Sequence, residues 1–132
     1  MRYFMVSLLL LVWTAQAADR DLAGRYAGDW KSNNSGVSGS IHMSLEPSAG
    51  GTWKCEVSFT LEGAEVTTIM RTAKIEQSKL DVSYDFTFQG TVLRSRITGM
   101  WNGKTFDGQY QTTAVESGDP VDDGTWSAAR GK

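Results

Sequence analysis

The sequence predicts an all-β protein, and more narrowly a single eight-stranded antiparallel up-and-down β-barrel. Gly, Ser and Thr recur about every dozen residues, a spacing typical of sandwiches and barrels built from short strands. Between these breaks apolar and polar residues alternate, as expected for strands with one face in a core. Where tight turns are placed between the strands, the apolar positions also meet on one face.

The first segment, 1–17, is predicted to be a secretory signal peptide. Arg2 gives it a positive start, an apolar run follows, and Ala15-Gln16-Ala17 is a small-x-small cleavage site. The apolar run is shorter than the roughly 20 residues that a membrane-spanning helix needs. We therefore expect cleavage before Ala18, a secreted or periplasmic location, and a single domain over 18–132.

Composition excludes some partners. The formal net charge of the chain is −2 and no basic stripe is present, which argues against nucleic acid and against an anionic membrane surface. Cys55 is the only cysteine, so no intrachain disulfide can form. Stability must therefore come from core packing.

Eight strands follow from the alternation and its breaks. The apolar parity changes within 71–80, and a β-bulge near Arg71-Thr72 would restore it. The predicted strands are 22–30, 37–45, 53–61, 64–72, 80–88, 91–101, 104–112 and 124–130.

Three dipeptides are predicted to form two-residue hairpin turns, and in the Asn-Gly turn both central residues are expected to have positive φ. The last of them would set Gly99 opposite Phe106, and the "PSAGG" connection (47–51) would set Leu45 opposite Trp53. The dipeptides are Glu62-Gly63, Gln89-Gly90 and Asn102-Gly103.

All aromatic residues after the signal peptide fall on the apolar face of these strands. Several glycines share that face, which indicates strongly coiled strands and close approach of backbone to rings. Consecutive coiled strands favour a barrel over a sandwich, whose crossing connections would be longer. The aromatic residues are Tyr26, Trp30, Trp53, Phe59, Tyr84, Phe86, Phe88, Trp101, Phe106, Tyr110 and Trp126.

The apolar face is expected to point inward. In a membrane barrel the aromatic residues would form girdles at the strand ends, whereas Phe59 and Tyr84 lie in mid-strand. The chain also ends in "WSAARGK", without the terminal aromatic residue expected of an outer-membrane barrel. An eight-stranded barrel is either filled by side chains or holds one small ligand, and the sequence leaves both alternatives open.

Two short elements carry a resemblance to a known superfamily. The first strand, "LAGRYAGDW" (22–30), contains Gly28-Asp29-Trp30, and the last, "DDGTWSAAR" (122–130), ends in Arg130. This pairing resembles the calycins, which comprise lipocalins, fatty-acid-binding proteins and avidins. In them an Arg or Lys packs across the Trp ring near one end of an antiparallel barrel.

The resemblance implies that Arg130 approaches Trp30, with Phe106 as the alternative ring. Trp30 lies later on its strand than in lipocalins, and the polar loop "KSNNSG" (31–36) is closer to the avidin arrangement. No complete biotin-site pattern follows, so no biotin-binding residue is carried over.

The leading functional hypothesis is a non-enzymatic barrel that binds a small apolar or aromatic molecule inside, without a cofactor or metal. His42 lies on the polar face and Cys55 on the apolar one, so they form no nucleophile–base pair. The acidic segment 114–124 fits no calcium loop and is interpreted as a solvated turn. The candidate ligand-lining residues are Tyr26, Trp30, Trp53, Phe59, Tyr84, Phe86, Trp101, Tyr110, Trp126 and Arg130.

A second hypothesis is a solid barrel that acts through its loops as a protein-interaction module or secreted inhibitor. Alternating hairpins place 31–36, 62–63, 89–90 and 113–123 at one end of the barrel. These include the longest loops, so this end is the expected mouth for a ligand or a partner protein.

Overall fold

The computed structural model describes residues 21–131, which form nine antiparallel strands and one turn of 3₁₀ helix, Ala49–Gly51. No helix among these residues is long and apolar enough to cross a bilayer. The predicted signal peptide, 1–17, lies outside the described residues. The strands are β1 Gly24–Ser32, β2 Ser38–Pro47, β3 Trp53–Leu61, β4 Ala64–Thr67, β5 Ile69–Glu76, β6 Lys79–Phe88, β7 Thr91–Trp101, β8 Thr105–Ala114 and β9 Pro120–Arg130.

The strands form one sheet in the order β4-β3-β2-β1-β9-β8-β7-β6-β5. Apart from the first and last strand, neighbours in the sheet are neighbours in the chain. β1 pairs with β9, with Trp30 opposite Trp126 and Tyr26 opposite Arg130. The all-β, up-and-down architecture and the pairing of the first strand with the last are confirmed.

The strand count differs from the prediction because the predicted strand 64–72 is divided at Thr68. β4 pairs with β3, whereas β5 pairs with β6. At the division the Thr68 hydroxyl donates a hydrogen bond to the Val57 carbonyl at 2.6 Å. The barrel is therefore nearly closed, because this segment passes from β3 to β6 instead of pairing with both along its length. The predicted bulge is present, between Met70 and Thr72.

Two predicted registers are wrong by two residues. Trp101 pairs with Phe106, so that Gly99 lies opposite Gly108. The reason is an Asx-type turn: the Asn102 side-chain oxygen accepts hydrogen bonds from two following backbone N–H groups, at 2.9 Å each, and makes the loop longer. Of the Asn102-Gly103 pair, Gly103 alone has a positive φ.

The β2–β3 connection shows the same shift, with Leu45 opposite Cys55 rather than Trp53. A shift of two residues preserves which face each side chain occupies. The tight turns at Glu62-Gly63 and Gln89-Gly90 have the predicted register and positive φ at both residues.

The interior holds the apolar face, as predicted. All eleven aromatic residues named above are buried or half-buried. The tightest packing lies away from the predicted mouth, where Phe106, Leu80 and Val82 have no exposed surface. The outer face carries ion pairs. In one of them the Arg94 guanidinium donates a hydrogen bond to each carboxylate oxygen of Asp85.

Candidate ligand-binding site

A cavity of about 190 Å³ occupies one end of the barrel. This end, called the mouth, carries the β1–β2 loop (33–37), the β8–β9 loop (115–119) and the two tight turns at 62–63 and 89–90. It is the end that the sequence predicted to be the mouth. The lining residues are Trp30, Phe59, Leu61, Tyr84, Phe86, Phe88, Leu93, Ser95, Tyr110, Thr112, Val121 and Asp122.

The rings of the cavity are packed edge to face. The Trp30 ring lies 6.4 Å from that of Phe59 and 6.0 Å from that of Tyr110, nearly perpendicular to both. Phe86 contacts Phe59 in the same way, with centroids 4.9 Å apart. Such pairs are worth about 0.5–1.5 kcal/mol beyond the area they bury. The rings therefore hold one another in place without depending on a ligand.

Two glycines fix the positions of the outer rings. A Cβ on Gly124 would lie 2.6 Å from the Tyr110 ring, and one on Gly39 would lie 2.6 Å from the Trp30 indole nitrogen. Neither position can accept a side chain, because a Cβ there would also lie 2.0 Å from the Lys31 carbonyl oxygen or 2.3 Å from that of Thr60. The Trp30 nitrogen also donates a hydrogen bond to the Thr60 carbonyl at 3.0 Å, which leaves its orientation defined.

Asp122 is a carboxylate at the edge of this aromatic cavity. One of its oxygens accepts hydrogen bonds from the Ser32 hydroxyl at 2.7 Å and the Asn34 amide at 3.2 Å. The other accepts from the Tyr110 hydroxyl at 2.8 Å. Burial alone would raise the pKa of Asp122, but these hydrogen bonds outweigh burial and hold the pKa below its ordinary value.

The remaining polar groups of the cavity are paired within the protein or remain neutral. The Ser95 and Thr112 hydroxyls share a hydrogen bond of 2.6 Å. Burial raises the pKa of Tyr84, and burial together with the Asp122 carboxylate raises that of Tyr110. Both phenols are therefore uncharged over the physiological range, and the charge in the cavity wall is that of Asp122.

The opposite end of the barrel, called the closed end, is built around Tyr26 and Arg130. The guanidinium donates hydrogen bonds to the Tyr26 hydroxyl at 2.9 and 3.2 Å and to the Asp21 carbonyl at 2.6 Å. It also lies 5.0 Å from the centre of the Trp101 ring. The expected stacking of Arg130 on Trp30 is wrong, because Trp30 ends its strand at the mouth, and Phe106 pairs with Ala128 instead.

The structure brings together half of the predicted lining residues. Trp30, Phe59, Tyr84, Phe86 and Tyr110 line the cavity. The others do not: Tyr26, Trp101 and Arg130 form the closed end, Trp53 begins β3 near that end, and Trp126 packs against Phe106.

Sequence reasoning missed several lining residues, above all Asp122. It lies in the segment interpreted as a solvated acidic turn, whereas the structure places its side chain against Tyr110 and Ser32. Asp122 keeps the regular alternation of β9, since it pairs with Thr112 as Gly124 pairs with Tyr110, and the bulge at Val121 comes only beyond it. The inward parity of Asp122 with Gly124 and Trp126 was a usable signal. The other missed residues are Leu61, Phe88, Leu93, Ser95, Thr112 and Val121.

Within residues 21–131 no group of His, Cys, Asp and Glu side chains is arranged to hold a metal ion. Cys55 is buried, and burial raises the pKa of its thiol to about 12, which leaves it protonated and unreactive at neutral pH. His42 is exposed on the outer face.

No protein-family model matches this chain, and no curated protein is similar enough in sequence to match. Among solved structures, the chain is similar to apo Bradavidin2 (Form B), with 15% identity and a TM-score of 0.43. The match covers 78% of this chain and 94% of that one. A similarity at this level carries no residue, ligand or role across to this chain.

Proposed function

We propose that this protein is a secreted or periplasmic binding protein that holds a small apolar or aromatic molecule non-covalently in the mouth cavity. The observation that carries the proposal is a cavity of about 190 Å³, walled by aromatic rings, at one end of the barrel. Concave apolar sites with a few placed polar groups are the usual form of small-molecule sites.

The size of the cavity limits the ligand. An engineered apolar cavity of about 150 Å³ stays dry and binds benzene. The mouth cavity is somewhat larger and open at one side, so a single ring with a compact substituent is the expected scale. Val121 lines the opening and is half exposed, which gives an apolar ligand a favourable path of entry.

Calorimetric titration with tert-butylbenzene tests the proposal. Saturable binding of one molecule per chain is expected. In Leu61→Trp the larger side chain fills the opening, so binding is expected to disappear while the melting temperature stays near that of the wild type.

The matched control is Val92→Trp. Val92 lies at the same end of the barrel but is 46% exposed and outside the cavity, so this variant should bind like the wild type. Absence of binding to the wild type, or full binding to folded Leu61→Trp, contradicts the proposal.

The exposed valines of the mouth loops favour a second candidate function, docking of a protein partner. Val37 and Val115 are 44% and 41% exposed in the two longest mouth loops. A Val37→Ser, Val115→Ser variant should lose a partner that copurifies from the host while it keeps tert-butylbenzene binding. Retention of the partner by this variant would count against a docking surface on these loops.

A further inference from the structure

The charge of the cavity wall has a consequence for the class of ligand. Among the described residues that line the cavity, Asp122 carries a negative charge and none is Lys, Arg or His. An inference about ligand charge rests on the proposed function, because it concerns the same cavity.

Asp122 receives hydrogen bonds but no compensating charge from the described residues around it. Its donors are the neutral groups of Ser32, Asn34 and Tyr110. Asp85 differs, since Arg94 contacts both of its oxygens. A partly buried carboxylate without a cation leaves an unbalanced field in the space beside it, and a ligand cation placed there would be attracted.

The rings beside Asp122 are suited to the same charge. Tyr110 joins the two features, because its hydroxyl donates to Asp122 and its ring contacts Trp30 at 6.0 Å. Aromatic faces attract ammonium groups through the ring quadrupole, and Trp and Tyr are the strongest in this respect. Carboxylate and rings therefore act on a cation in the same direction, and both disfavour an anion.

We propose that the ligand is a hydrophobic cation: an aromatic or apolar body of about one ring that bears a quaternary or protonated amine. The body occupies the space among Phe59, Phe86 and Leu93, and the amine lies between Asp122 and the rings of Trp30 and Tyr110. The geometry assigns no hydrogen-bond donor of the protein to the ligand, since the donors beside Asp122 already bond to its oxygens.

Three probes of nearly equal shape and different charge test this assignment. Phenyltrimethylammonium is the cation, tert-butylbenzene the neutral isostere and benzenesulfonate the anion; each is one ring with a tetrahedral substituent. In calorimetric titration of the wild-type protein the cation should bind roughly tenfold more tightly than the neutral probe, as expected for a partly desolvated cation–π contact beside a carboxylate. The anion should bind most weakly.

Asp122→Asn removes the charge and keeps the shape of the side chain. It should reduce the preference for the cation to the part that the rings supply, and leave tert-butylbenzene binding within about twofold of the wild type, since the aromatic wall is unchanged. Asp123→Asn is the matched control, because it changes the net charge equally from an exposed position and should leave the preference intact.

The outcomes separate the two proposals. If none of the three probes binds, the proposed function itself is wrong, and this inference fails with it. If tert-butylbenzene binds as tightly as phenyltrimethylammonium, or benzenesulfonate binds most tightly, the cavity is a binding site but the charge assignment is wrong. The affinity order in the wild type decides this even if Asp122→Asn fails to fold.

Discussion

Each end of the barrel has a tyrosine whose hydroxyl is hydrogen-bonded to a charged side chain, but the two charges are opposite in sign. At the closed end the Tyr26 hydroxyl is hydrogen-bonded to Arg130, and at the mouth the Tyr110 hydroxyl is hydrogen-bonded to Asp122. Each tyrosine is also packed edge to face against a tryptophan, Trp101 and Trp30 respectively. Despite this likeness Tyr26 packs against the fully buried Phe106, whereas Tyr110 lines a cavity.

The difference lies in what covers each end. At the closed end Arg130 lies over two rings and also contacts the Asp21 carbonyl, while Phe106 packs beneath with no exposed surface. At the mouth Asp122 is held at the rim by Ser32 and Asn34, and its short side chain covers no ring. A long cation with an apolar stem can close a barrel, whereas a short anion leaves it open.

The largest effect on stability is expected from truncating one aromatic ring at each end of the barrel. Phe106→Ala removes a fully buried ring and should lower the free energy of unfolding by about 3–5 kcal/mol. Phe86→Ala should cost less, because its ring already borders empty space, but it should weaken ligand binding more. Chemical denaturation and calorimetry on both variants make the comparison. Equal losses of stability would show that the two ends are packed alike.

Removing the Arg130 side chain, which covers the closed end, should have a moderate effect on stability. Arg130→Ala should lower the free energy of unfolding by roughly 1–2 kcal/mol, through loss of the ring contacts and of the hydrogen bonds to Tyr26. A double-mutant cycle with Trp101→Leu should show coupling, and one with Trp30→Phe should show none. Coupling to Trp30 instead would contradict the observed placement of Arg130. Arg96→Ala is the control: it breaks an exposed ion pair with Asp81 on the outer face and should change stability little.

A smaller effect on stability is expected from removing the tyrosine hydroxyl at the mouth. Tyr110→Phe removes one hydrogen bond to Asp122 and should lower the free energy of unfolding by about 0.5–1.5 kcal/mol. Tyr26→Phe should cost more, because the Tyr26 hydroxyl both donates to the Leu22 carbonyl and accepts from Arg130. Thermal or chemical unfolding of the two variants measures the difference. A larger loss of stability for Tyr110→Phe than for Tyr26→Phe would contradict the interpretation that the closed end contributes more to stability than the mouth.

The smallest effect is expected from raising the pH to about 10, the ordinary pKa of tyrosine. Burial raises the pKa of Tyr26, Tyr84 and Tyr110 in the folded protein. The folded state thus disfavours the ionised form, so stability is unaffected below the unfolded pKa and falls as the pH rises above it. Absorbance at 295 nm should show these phenols ionising together with unfolding. Reversible ionisation of all three near pH 10, in the folded protein, would mean that they are exposed.

The sequence was sufficient for the barrel and for the inward set of aromatic residues, because strand alternation fixes which face each residue occupies. It was insufficient where a side chain rather than a backbone preference sets the local geometry. Asn102 lengthens its loop by accepting two backbone hydrogen bonds, and Thr68 binds Val57 where the chain leaves β3. Neither contact has a periodic signature in the sequence.

The candidate site was predicted in part for the same reason. Parity identifies Trp30, Phe59 and Tyr110 as inward, but it does not show at which height each lies or where space remains. Asp122 was missed because the acidic composition of 114–124 indicated a solvated turn, whereas β9 begins at Pro120 and already includes Asp122. A residue's height along the barrel can be predicted only if the register of its strand is known. Two of the registers were set by loops whose length the sequence pattern did not show.

Locating a bound ring tests most directly whether the mouth cavity is the ligand-binding site. Crystals exposed to iodobenzene, with data collected for the anomalous signal of iodine, would place the ligand without assumptions about affinity or fluorescence. We expect an iodine site within the mouth cavity, in contact with the rings of Trp30, Phe59 or Tyr110, and none at the closed end. A site at the closed end near Tyr26 and Trp101, or no site anywhere in the barrel at saturating iodobenzene, would contradict it.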